Sequence, residues 1–149
     1  MYRIINSLAV AEYNKFLGAV EINFNGQGPT ALYHETMDIA MNIALIYKSN
    51  NWLFLKDDFS DISPNAFMTF VRKWSTKASE MHERSDSNYI CKVALVTSSD
   101  SYLYLMSEHE WLEDSRKKFD NLHIRLFTKL EQAKKFLNNG YSSRILVET

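Results

Sequence analysis

From Leu17 to Phe24, apolar side chains at Val20, Ile22 and Phe24 alternate with Glu21 and Asn23, the period of two expected of a half-buried strand. The preceding run, Leu8 to Tyr13, reads as a second strand, and the break at Asn14-Lys15 makes the two an antiparallel hairpin. The period then changes. After the turn signal Asn25-Gly26-Gln27-Gly28-Pro29, the residues Leu32, Met37, Ile39, Ala40, Ile43, Ala44, Ile46 and Tyr47 recur mostly at spacings of three and four. This predicts a helix from Thr30 whose wide apolar face is buried against a sheet.

The next run, Trp52-Leu53-Phe54-Leu55, is apolar throughout, as a strand covered on both faces should be. It stops at Asp57-Asp58. Ser63-Pro64 then opens a helix: the serine hydroxyl can accept from a first-turn amide, and proline at the first helical position wastes no hydrogen bond. Phe67, Phe70, Val71, Trp74, Ala78 and Met81 share one face of that helix. Lys92 to Thr97 is a further core strand, and Ser98 to Ser101 offers caps for a helix carrying Tyr102, Leu105, Met106, His109 and Leu112. Leu122 to Phe127 alternates as a strand, Thr128 and Glu131 form a capping box, and Asn138-Asn139-Gly140 closes the last helix. The tail at Arg144 to Val147 reads as an edge strand or a docked segment. The resulting order, β-β-α-β-α-β-α-β-α, predicts an α/β fold: a mixed sheet of about five strands packed with four helices.

Composition narrows the class. With four Gly and two Pro among 149 residues there is no linker or low-complexity tract, so residues 1–149 are expected to form one domain. A net charge of −1 gives no electrostatic reason to expect nucleic acid as a partner. One cysteine excludes an internal disulfide, no apolar run reaches the roughly 18 residues that span a bilayer, and Met1 to Asn6 lacks the features of a secretory signal; the expected location is the cytoplasm.

No catalytic signature emerges, and the expectation is a protein that is not an enzyme and uses no cofactor. His34, His82, His109 and His123 lack zinc spacing, so no metal site is expected. Gly26-Gln27-Gly28-Pro29 lacks the lysine and hydroxyl of a phosphate loop. The chemistry concentrates instead in the loop after Trp52–Leu55, where Asp57, Asp58, Ser60, Asp61 and Asn65 form a candidate partner-binding surface around Ser63. Ser63 serves as a helix cap on the plain reading. A phosphate there would meet the positive end of a helix and add up to about two negative charges. Aromatic residues are in surplus, nine Phe, eight Tyr and three Trp, so an exposed remainder would favour a homodimer or an apolar pocket lined by Phe67, Phe70, Trp74 and Met106.

Several of these segments together resemble the STAS-like fold, and more narrowly its SpoIIAA-like members, over roughly the whole chain. They are Asn23-Phe24-Asn25-Gly26, the run from Asn51 to Asp57, Ile62-Ser63-Pro64, Ile124 to Phe127, and Glu131 to Leu137. In the anti-sigma-factor antagonists of that family an Asp-Ser-Ser-Gly segment precedes a helix, and its second serine is phosphorylated to switch partner binding. Laid over this chain the segment falls on Asp61-Ile62-Ser63-Pro64, with Ile62 and Pro64 departing from the pattern. The resemblance implies a regulatory module that binds a protein partner, with Ser63 at the switch position; the alternative is a small-molecule or lipid-binding protein with a pocket between sheet and helices.

Overall fold

The computed structural model describes residues 3–5, 8–24, 28–57, 73, 74, 77, 80, 91–100 and 122–138. The described strands are β1 (Arg3–Ile5), β2 (Ala9–Asn14), β3 (Ala19–Phe24), β4 (Asn51–Leu55), β5 (Cys91–Val96) and β6 (Leu122–Phe127). They form one sheet in which spatial order equals chain order. The pairs β1–β2 and β2–β3 are antiparallel, and β3–β4, β4–β5 and β5–β6 are parallel. The mixed α/β sheet and the opening hairpin follow the hydrophobic pattern. Among the described residues a short sixth strand joins the five or so expected, because Arg3-Ile4-Ile5 pairs with Val10–Glu12.

Two helices are described end to end, α1 (Thr30–Tyr47) and α2 (Leu130–Asn138). Lys73, Trp74, Lys77 and Glu80 also have helical backbone, as do Ser99 and Asp100; the extents of the two middle helices expected from the sequence lie outside the described residues, as does the tail at Arg144 to Val147.

Strand alternation divides the core. On one face Ala9, Ala11, Val20, Ile22, Phe24, Trp52, Phe54, Cys91, Val93, Leu95 and Ile124 pack against Tyr33, Met37, Ala40, Ile43 and Ala44 of α1. Trp74 joins this layer, edge-on to Trp52 at 4.5 Å and to Phe54 at 5.0 Å between ring centroids. Lys77 reaches Asp38 of α1 at 3.7 Å, which sets these helical residues beside α1. A parallel sheet that grows by one strand at each step puts successive right-handed crossovers on the same face, and α1 and Trp74 obey that rule. On the other face Leu17, Ala19, Leu53, Ala94 and Val96 pack against Ala133 and Leu137 of α2. Covered on both sides, β4 and β5 have no use for polar alternation. Over β2 and β3 the second face keeps half-buried Val10, Glu12 and Glu21 and exposed Asn23, so there the alternation survives.

Local chemistry sets the joints. Asn14 Oδ1 accepts from the amides of Phe16 and Leu17 at 3.0 and 3.1 Å, which folds the hairpin turn. Gly18 completes it at φ +60°, so the run read as starting at Leu17 becomes a strand only at Ala19. Helix α1 ends at Lys48, left-handed at φ 53°, and the Ser49 amide donates to the Ala44 carbonyl at 2.9 Å. The Ser49 hydroxyl then donates to the Gly18 carbonyl at 2.8 Å and ties the end of α1 to the hairpin. Helix α2 starts at Leu130, and its first bond runs from the Ala133 amide to the Lys129 carbonyl at 3.3 Å. Lys129 therefore holds the capping position, one residue beyond the Thr128 start that the capping box predicts.

Candidate functional site

The loop singled out in the sequence begins at the carboxyl end of β4, the edge at which open α/β sheets bind their ligands. Asp57 is exposed just beyond the strand. Ser63, Asp58, Ser60, Asp61 and Asn65 lie outside the described residues, as do Phe67, Phe70 and Met106 of the apolar pocket. Trp74 is only 3 % exposed and wedged against Trp52 and Phe54, so it belongs to the core layer on the α1 face of the sheet.

The same edge holds two buried polar side chains that no pattern along the chain marks. Lys56 is 3 % exposed. Its amide donates to the Val96 carbonyl at 3.0 Å, extending the β4–β5 pairing by one residue. Its ammonium lies 5.4 Å from the centre of the Tyr33 ring and 5.8 Å from that of Phe24, within reach of a cation–π attraction to both. Phe24 ends β3 and Tyr33 sits in the opening turns of α1, so the cation is placed where strand ends and helix start meet. Thr97, at the end of β5, is 1 % exposed, and its amide donates to the Phe127 carbonyl at 3.0 Å. Its hydroxyl Oγ1 is buried without a hydrogen-bond partner. By strand alternation Lys56 and Thr97 both continue the α1 face, two residues beyond Phe54 and Leu95 respectively.

The amino end of α1 completes this edge. Pro29 occupies the capping position with no side-chain cap bond, and no acidic residue lies in the first turn. Gly28 lies just before it, and a Cβ there would come within 2.9 Å of Leu32 Cδ1, the flexible end of a side chain that would have to shift. No acid in its own first turn therefore offsets the partial positive charge of α1. Lysine and threonine are ordinarily surface residues, which is why Leu55-Lys56-Asp57 reads as a strand running out into solvent.

Cys91 is fully buried at the start of β5, and burial pushes its thiol up to about 12, with the Trp52 side chain pulling weakly the other way. Among the described residues no group of three His, Cys, Asp or Glu side chains gathers as a metal site, and no helix is long and apolar enough to cross a membrane. No family model matches the chain, and no curated protein or solved structure was found similar to it.

Proposed function

We propose that the protein is a non-enzymatic regulatory module of the STAS-like kind, acting in the cytoplasm by binding a protein partner through the loop after β4, with Ser63 as its switch. The observation that carries this reading is the winding of the sheet. Beyond the antiparallel hairpin, β4, β5 and β6 add parallel to β3 in chain order, α1 and Trp74 of the first two crossovers pack on one face, and Asp57 emerges exposed at the carboxyl edge. The loop that carries Ser63 in the sequence follows Asp57, and the exposure of Asp57 supports a partner-binding surface beginning there.

Self-association belongs to the same reading. Phe16 is 86 % exposed at the hairpin turn, and Leu45 and Ile46 are exposed near the end of α1, which the Ser49–Gly18 bond ties to that turn. A second copy covering these side chains would bury apolar surface at the edge opposite the Ser63 loop. The carrier alternative draws less support from Trp74, since a pocket there would require breaking the contacts to Trp52 and Phe54.

The test is affinity capture from the native host with the wild-type chain and with Ser63→Glu. The reading expects a partner retained by the wild type and lost with Ser63→Glu, whose circular dichroism and thermal midpoint stay unchanged. Equal retention of every captured protein by both forms would remove Ser63 from the account.

A further inference from the structure

We infer that Tyr13 and Tyr47 form an oxidation site at which a one-electron oxidant of the peroxyl class joins β2 to α1 through an intramolecular dityrosine bond. The two rings are stacked with their centroids 4.2 Å apart and their planes 3° from parallel, so two phenols distant in sequence lie face against face. The joint between hairpin and helix holds them there. Tyr13 lies in β2 just before the turn, and its hydroxyl is the nearest atom, at 3.9 Å, to a Cβ built on Gly18. Tyr47 is the last residue of α1, the helix whose end the Ser49 hydroxyl ties to the Gly18 carbonyl at 2.8 Å. Both rings pack against the core on the α1 face and are half-buried. The remaining described tyrosine, Tyr33, is 1 % exposed and stacks on Phe24 instead.

Half-burial selects the outcome. A small oxidant reaches the rim of the pair, and a radical formed on one ring meets first the neighbour on which it is stacked, a unimolecular encounter that a tyrosine of a second chain cannot match. Each of two peroxyl radicals takes one hydrogen atom, an electron with its proton, from a phenol hydroxyl and becomes a hydroperoxide. The two phenoxyl radicals carry spin on the ring carbons ortho to oxygen, and a carbon–carbon bond forms between one such carbon of each ring. The hydrogens on those carbons move to the oxygens and restore both phenols, so the chain loses two hydrogen atoms in all. The bond closes a loop containing β3 and α1 and constrains the unfolded chain as a disulfide would, in a sequence whose single cysteine allows no internal disulfide. This inference does not depend on Ser63 or on a protein partner.

The experiment exposes the dilute, full-length protein to peroxyl radicals from a water-soluble azo initiator and follows dityrosine fluorescence and peptide masses. A monomer that gains the fluorescence is expected, together with a proteolytic fragment in which the peptides of Tyr13 and Tyr47 are joined with the loss of two hydrogens. Tyr13→Phe and Tyr47→Phe, which keep the stacked ring and remove only the hydroxyl, should each lower the yield about tenfold or more, as should urea, which separates the rings. Coupling that either substitution leaves undiminished, that joins other tyrosines, or that appears only between chains overturns the inference. So does a chain oxidised at methionine with no dityrosine.

Discussion

Lys92 Nζ donates to the carbonyl oxygen of Phe136 across 3.0 Å, so a lysine from the start of β5 caps the last turn of α2. The last four carbonyls of a helix lack intrahelical donors, and a cation there also meets the negative end of the helix dipole. Lys92 is 8 % exposed, and its ammonium lies 5.5 Å from the centre of the Phe136 ring. It is a polar link between α2 and the strand that α2 covers. Burial, and secondarily the nearby Arg125 charge, lowers its pKa from 10.5.

Two consequences are measurable. Lys92→Met should lower stability at neutral pH by about 1–3 kcal/mol, the worth of a charge-assisted bond less the relief of desolvation. The pH dependence has a definite sign. With the folded-state value depressed, the unfolded chain binds more protons between that value and 10.5, so stability rises with pH across the window. Urea midpoints of the two forms should separate further as pH is raised toward 10.5; a separation that shrinks would contradict this.

The indole of Trp74 closes the α1 face of the sheet. Trp74→Ala should cost about 3–5 kcal/mol, from lost burial and from edge-on contacts worth about 1 kcal/mol beyond area. Urea unfolding measures the loss, and near-ultraviolet circular dichroism should lose the signal of the Trp52–Trp74 pair. A loss under 1 kcal/mol would mean that this layer does not hold the core.

Backbone conformation predicts opposite effects at two joints. Gly18 sits at φ +60° with room for a side chain, the nearest atom to an added Cβ being the Tyr13 hydroxyl at 3.9 Å. Gly18→Ala should therefore cost about 1–2 kcal/mol from backbone strain alone. Lys48, at φ 53°, already carries that strain, and Lys48→Gly should stabilise by up to about 1 kcal/mol. Thermal midpoints of the two variants should move in opposite directions.

Cys91 should be inert in the native protein. Its burial and raised pKa of about 12 leave almost no thiolate at neutral or mildly alkaline pH. Mass spectrometry after iodoacetamide treatment should show no adduct on the folded chain and one in urea. Rapid native labelling would place the thiol at the surface.

The sequence made the central architecture legible wherever burial was continuous or strictly periodic. Trp52–Leu55 and Val93–Val96 are apolar because both faces are covered, and Val20, Ile22 and Phe24 alternate because one face is only partly covered. Arg3–Ile5 carries no pattern of its own; three residues become a strand by pairing with β2, a non-local cause that no window along the chain can contain. Lys56 and Lys92 escaped for a different reason. Their residue type predicts solvent, and only tertiary placement, under α1 in one case and under α2 in the other, buries them. Ser63 and its neighbours were marked by capping and charge, and that part of the candidate site rests on sequence.

The most direct test of the regulatory reading is native mass spectrometry of the protein isolated from its own host. The account predicts a stoichiometric complex with a partner protein, or a chain carrying one phosphate that fragmentation assigns to Ser63. A bare, unmodified chain, or one carrying only a lipophilic adduct, would contradict it.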